Sequence, residues 1–161
     1  MVFTGSYDHT IDAKHRLAIP SDIRAQIRRQ DDDRQDKATH LFVTLGEGQA
    51  LCLYTEEEFE RRARQLDDSD RGPDEVLAYE RLFYSLARRV ELDKNGRIRL
   101  PENLLEIAGL GNEVALLGVK DHLEVRDRTA WRSDVERMLA DDPQAAMNPR
   151  RAMRRPADTD T

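Results

Sequence analysis

The chain has 161 residues, 39% hydrophobic and 36% charged, with a net charge of −6 and one cysteine, Cys52. That composition fits a charged globular chain with modest cores, and no apolar run approaches the roughly 20 residues a membrane span needs. A lone cysteine excludes an internal disulfide framework and fits a reducing compartment.

In chain order, Met1 to Thr10 carries neither the basic nor the apolar stretch of a secretory signal. His9 to Ile11 leads into a tight loop, Asp12 to Arg16, and Leu17 to Ile19 leads out as a strand. Pro20-Ser21 suits a helix entry, with Ile23 and Ile27 one turn apart on its inner face. Polar residues Arg29 to Lys37 read as a surface loop. His40 to Leu45 and Ala50 to Tyr54 predict a hairpin around Gly46-Glu47-Gly48. Thr55 and Glu58 form a capping box for a helix whose apolar stripe is Phe59, Ala63 and Leu66. Gly72-Pro73 breaks the chain, and a helix is expected from Asp74 to about Ala87 with Val76, Phe83 and Leu86 inward.

The pattern then starts again. Asp93 to Arg97 is a second loop, followed by a strand through Leu100, a helix with Leu104 and Ala108 inward, and Gly109 as its stop. Val114 to Leu117 and His122 to Val125 predict the second hairpin, and a helix from Asp127 is expected to turn Trp131, Val135, Met138 and Leu139 inside. Beyond Asp141 the chain is polar, with Pro149 and Pro156, and is expected to be disordered.

These matches amount to an internal repeat. Asp12 to Pro20 aligns with Asp93 to Pro101 at an offset of 93 − 12 = 81, and Ile11 aligns with Leu92. Leu45-Gly46 aligns with Leu117-Gly118, Leu51 to Leu53 with Leu123 to Val125, and Phe59 with Trp131, at an offset of 131 − 59 = 72. The first copy thus carries 81 − 72 = 9 extra residues, assigned to Arg29–Lys37. The expected organisation is a first repeat over residues 1–66, a linker helix over 67–86, a second repeat over 87–140 and a basic, polar tail over 141–161.

Acid and base are segregated. Acid gathers at Asp31 to Asp33, Glu56 to Glu58 and Asp67 to Asp70; base gathers at Lys14 to Arg16, Arg24 to Arg29, Arg88-Arg89, Lys94 to Arg99 and Arg150 to Arg155. Basic patches on an acidic body favour selective docking to an anionic partner over indiscriminate coating. The loops carry the chemistry. Arg16 and Arg97 stand at the exit of a tight turn, and a guanidinium fork matches guanine O6 and N7 in the major groove, worth ~1–3 kcal/mol of discrimination per good pair. Lys14 and Lys94 suit phosphate, because an ammonium is a point charge that fixes register without reading sequence. Asp12 and Asp93 belong to the loop itself, accepting backbone N–H groups two or three residues on, with a further option of bracing the arginine. Asn95-Gly96 is a hairpin-turn signal because both residues tolerate positive φ. His15 stands where Gly96 stands, so the first loop either differs in shape or gains a contact from His15.

The duplicated Asp-x-x-x-Arg loop, each copy followed by an apolar strand and Pro, resembles the MraZ family, as do Phe3 to Tyr7, Glu91 to Arg97 and Leu51 to Phe59. The resemblance covers roughly residues 1–140. It implies an α+β chain of two tandem AbrB-like, swapped-hairpin repeats forming a β-barrel core with flanking helices. It also implies a DNA-binding transcriptional regulator, in most cases a repressor of the division and cell-wall gene cluster. Such chains assemble into ring-like homo-oligomers and read guanine-rich direct repeats through these loops. The DNA-contacting residues would be Lys14, His15, Arg16, Lys94, Asn95 and Arg97, with Asp12, Asp93 and Gly96 shaping the loops. Several loops on one ring would engage several DNA repeats, raising affinity through effective concentration. The expected partners are double-stranded promoter DNA and further copies of the chain, in the cytoplasm and at the nucleoid, with no membrane, cofactor or small ligand.

Blander readings stand beside these. A single Asp-x-x-x-Arg loop is most simply a solvated turn with an internal ion pair; duplication in the same context argues against that here. The arginine-rich tail is either a solubilising end or a source of salt-dependent affinity. Cys52, between Leu51 and Leu53, reads as a packed small residue, and His9, His15, His40 and His122 lack metal spacing. Phe59 and Trp131 read as core, and Glu56 to Glu58 as a dipole-favoured helix start. No Gly-rich phosphate loop, metal cluster or nucleophile elbow supports an enzyme. The alternative function is a ring-forming protein-interaction scaffold without DNA binding, disfavoured by the cationic loops. An AbrB-like antitoxin would pair one DNA-binding module with a toxin-binding tail rather than two modules.

Overall fold

Short strands with alternating burial, interrupted by proline and glycine, build the first part of the chain. In the computed structural model, which describes residues 2–30, 39–68 and 72–153, β1 (Ser6–Thr10) precedes the Asp12 loop, β2 (Arg16–Ala18) follows it, and Pro20 leads into α1 (Ser21–Gln30). Ile23 and Ile27 are 1% and 2% exposed, so the helix docks through the face that its spacing marks. The expected surface loop at 29–37 begins inside α1, and its remainder lies outside the described residues.

β3 (His40–Gly46) and β4 (Ala50–Tyr54) form the first hairpin. α2 (Glu56–Asp67) follows, its cap made by the Glu58 N–H donating to Thr55 Oγ1 at 3.3 Å. α3 (Pro73–Leu86) opens with proline in its first turn, where the missing N–H is harmless. It is tied to the sheet by Thr44, whose buried hydroxyl donates to the Phe83 carbonyl at 2.7 Å. Phe83 is buried with Cys52 and Tyr54, while Phe59 stacks on Phe42 with centroids 4.5 Å apart.

The second copy supplies β5 (Arg88–Glu91), β6 (Arg97–Arg99), α4 (Glu102–Ala108), β7 (Glu113–Val119) and β8 (His122–Asp127). Gly109, at φ 67°, ends α4. Leu104 and Ala108 are buried in the same core cluster as Ile23 and Ile27.

The copies interleave. The six-stranded sheet runs β1-β7-β8-β4-β3-β5, and β2 pairs with β6 in a separate two-stranded ribbon. β1 pairs with β7, β2 with β6, β3 with β5 and β4 with β8, so each first-copy strand hydrogen-bonds a second-copy strand. A lone hairpin is marginal in water, and exchange between copies gives each one a covered face. This is the expected mixed architecture of two intertwined repeats, with one difference. The strands form an open sheet plus a ribbon rather than one closed barrel ladder. Pro20 and Pro101 lie just past the ribbon strands and have no N–H with which to extend pairing. The ribbon instead caps the core: Leu17 and Ile98, directly opposite one another, are fully buried.

The pairing also corrects the repeat alignment. Arg88 faces Val43 and Tyr7 faces Leu116. Because Tyr7 and Arg88 are 81 apart, the third strands correspond at 116 − 43 = 73 rather than 72. β4 and β8 keep 123 − 51 = 72. The nine extra residues therefore split: eight precede β3, and one enlarges the first hairpin turn, where Gly46 pairs with Ala50 but Val119 pairs with His122. The aligned Leu-Gly pairs conceal this shift because glycine occurs at both strand ends.

Residues Met1–Arg128 form one compact unit and Thr129–Thr161 a second. In the second, α5 (Arg128–Asp141) carries Trp131 and Val135 half-buried, but Met138 and Leu139, expected inside, are 47% and 45% exposed. The helices that follow are short and polar and offer no apolar layer to cover them. Those helices are α6 (Pro143–Ala146) and α7 (Pro149–Met153). Each starts on a proline, and the Arg150 N–H donates to Asn148 Oδ1 at 3.0 Å as an N-terminal cap. Residues 154–161 of the expected tail lie outside the described residues.

Candidate nucleic-acid interface

Each Asp-x-x-x-Arg loop is organised by its aspartate. Asp12 Oδ1 accepts from the backbone N–H of Lys14 and of Arg16, both at 2.9 Å. Asp93 Oδ1 accepts from Asn95 at 2.8 Å and Arg97 at 3.0 Å. The backbone closes each turn identically: Asp12 N–H donates to Arg16 O and His15 N–H to Asp12 O, matched by Asp93 to Arg97 and Gly96 to Asp93. Both carboxyls are held below their ordinary value, first by the N–H of the loop arginine.

The question posed by His15 is answered by the backbone. His15 has φ 60° and Gly96 φ 72°, so histidine accepts the left-handed conformation and the loops share one shape. The environments differ. At Gly96, a Cβ would lie 2.7 Å from the Arg24 guanidinium, which reaches across from α1 and donates from Nε to the Ile19 carbonyl at 3.1 Å. The residue equivalent to Arg24 by the 81-residue offset is Leu105, so no guanidinium from that position competes with the His15 side chain. Glycine at 96 makes room for Arg24, and histidine is accommodated at 15.

The loops converge through the ribbon. Arg16 faces Arg99 and Ala18 faces Arg97 across β2 and β6. Side chains alternate along a strand, so with Leu17 and Ile98 inward, Arg16, Arg97 and Arg99 share the outer face. Asp12 Oδ2 accepts from Arg16 Nε at 2.7 Å and lies 3.9 Å from Arg97 Nη1, so one carboxylate faces the arginines of both loops. Arg97 Nε sits 3.5 Å from Asp93 Oδ2 without a hydrogen bond, a looser brace than that of Arg16. Arg16 and Arg97 are about a third exposed, while Lys14, Lys94 and Asn95 are exposed at the loop tips. His15 is half-buried and Gly96 buried.

Along the sequence the two loops lie 81 residues apart. The structure joins them into one cationic face and adds Arg24 and Arg99. Arg99 was legible as the outward residue two places after Arg97. Arg24 was not, because its contact with Gly96 joins residues 72 positions apart across the fold.

The other polar groups build structure. Cys52 is buried, which pushes its thiol up to about 11. His122 lies 2.7 Å from Asp121 and 3.0 Å from Glu124, and the Arg62 guanidinium sits 4.8 Å over the Tyr54 ring.

Known proteins match both copies of the repeat. A family model described as "MraZ protein, putative antitoxin-like" matches twice, over residues 2–77 and 83–155, once for each copy. "Transcriptional regulator MraZ" of Acetivibrio thermocellus is 36% identical over 135 residues, covering 82% of this chain and 85% of that protein. With both copies matched, the chain belongs to the MraZ family.

Proposed function

We propose that the chain is a sequence-specific DNA-binding transcriptional regulator that represses genes of the division and cell-wall cluster, reading tandem guanine-rich promoter repeats through its two Asp-x-x-x-Arg loops. The observation that carries the reading is the convergence of Arg16 and Arg97 on one outer ribbon face, beside one aspartate and flanked by Lys14 and Lys94. A guanidinium fork held at a rigid turn is suited to guanine, and the flanking lysines to phosphate. The name of the Acetivibrio thermocellus relative supports regulation of transcription, and a regulator of this kind works in the cytoplasm at the nucleoid.

Self-association into a ring multiplies these faces along tandem DNA sites. It is supported by exposed apolar side chains on one face of α3, where Tyr79 and Leu82, three residues apart, are 49% and 60% exposed. The test is binding to labelled duplexes with tandem guanine-rich repeats, against scrambled duplexes at fixed salt, with solution mass measured in parallel. Selective binding by the wild type, lost in Arg16→Ala plus Arg97→Ala while fold and mass persist, supports the reading. Equal affinity of the wild type for every duplex overturns it and favours a scaffold that binds proteins.

A further inference from the structure

We propose that the first loop carries a phosphate-binding subsite that the second loop lacks, and that it holds a backbone phosphate of the bound DNA duplex. This rests on the DNA-binding reading above. Beside the first loop lies a concavity of about 320 Å³ lined by His15, Arg88, Arg89 and Arg99, with Glu102 as the acid on its wall. Arg88 donates to the Ala87 carbonyl at 3.4 Å and Arg89 Nη2 meets the His40 ring at 3.1 Å. Neither contact supplies a carboxylate, so three guanidinium groups outweigh one carboxylate in this hollow.

The ribbon adds an independent observation. Arg99 stands directly opposite Arg16 on the outer face. Like charges directly opposite one another across a strand pair are destabilising. Asp12 braces Arg16 on the loop side, and an anion on the Arg99 side relieves the repulsion. Phosphate oxygens accept charge-assisted, often bidentate hydrogen bonds from guanidinium groups.

The asymmetry follows from the repeat. Through the 81-residue offset, His15, Arg88, Arg89 and Arg99 correspond to Gly96, Tyr7, Asp8 and Ala18. Those positions at the second loop hold no cation and one acid. The cation that the second loop gains, Arg24, comes from α1 and is bent onto the Ile19 carbonyl. Two loops with one backbone shape thus present different charge: the first adds a hollow that anchors the duplex backbone, and the second has Lys94 alone for phosphate beside its base-reading Arg97.

The experiment measures duplex affinity of the full chain against salt, on tandem-repeat and scrambled duplexes, for the wild type, Arg99→Gln, Arg88→Gln and the control Arg64→Gln on α2. Losing one phosphate contact lowers the slope of log K against log salt by about 1, equally on both duplexes. That result for Arg99→Gln, or for Arg88→Gln should Arg99→Gln fail to fold, with Arg64→Gln unchanged, supports the subsite. An unchanged slope in the folded variants, with wild-type selectivity intact, overturns the subsite and leaves the DNA reading standing. A second arm titrates inorganic phosphate into the DNA-free chain: saturable binding lost in Arg99→Gln, alongside an unchanged duplex slope, assigns the hollow to a free anion and overturns the proposal. A wild-type chain that binds no duplex removes both readings.

Discussion

Replacing Gly96 by alanine tests whether the two loops share a shape but not an environment. Gly96 has φ 72°, and a Cβ there would lie 2.7 Å from Arg24 Cζ, Nε and Nη1. An L-residue in this conformation costs ~1–2 kcal/mol. The new methyl also pushes the Arg24 guanidinium off the Ile19 carbonyl, forfeiting a hydrogen bond worth about 0.5–1.5 kcal/mol. The smaller entropy of the unfolded alanine chain offsets about 0.4–1 kcal/mol of this. The expected loss is therefore ~0.5–3 kcal/mol, the combined balance of those terms. Urea denaturation of Gly96→Ala, Arg24→Ala and the double variant separates the parts, since the steric share disappears once Arg24 is gone. The cycle should show coupling of about 1 kcal/mol, the size of the displaced hydrogen bond. At His15 the opposite exchange, His15→Gly, trades relief of backbone strain against a more disordered unfolded chain, with a net change under about 1 kcal/mol. Additivity of the Gly96 and Arg24 substitutions to within about 0.3 kcal/mol would refute the contact between them.

Two further outcomes are expected. His122 is raised above 6.5 by its hydrogen bond to Glu124 and by Asp121, so its protonated form favours the fold; that contribution is complete below pH 6.5 and fades as pH rises through the raised value. Urea stability measured against pH should therefore fall above 6.5 in the wild type and lose that component in His122→Gln; parallel curves would remove His122 from the linkage. Leu17→Ala empties a fully buried position beneath the ribbon and should cost about 2–5 kcal/mol, read as a lower urea midpoint at unchanged m value; a loss below about 1 kcal/mol would mean that the ribbon does not close the core.

Local patterns determined much of this protein. Loop chemistry was legible because an aspartate and an arginine four residues apart close a turn using their own backbone. Ile23 and Ile27, the Thr55 cap and the Gly109 stop were legible for the same reason: each depends on neighbours within about one helical turn. The duplication itself was visible as recurring residue types. Tertiary structure decided the remainder. Pairing fixed the one-residue shift between the third strands, since burial alternates by two and a glycine at each strand end masked the displacement. It left Met138 and Leu139 uncovered, because an apolar stripe on a helix does not specify what lies opposite. It also brought Arg16, Arg97 and Arg99 onto one face and laid Arg24 across Gly96. A glycine in a sequence announces only conformational freedom; which side chain needs the space it leaves is set by a helix 72 residues away, and that distance closes only in the fold.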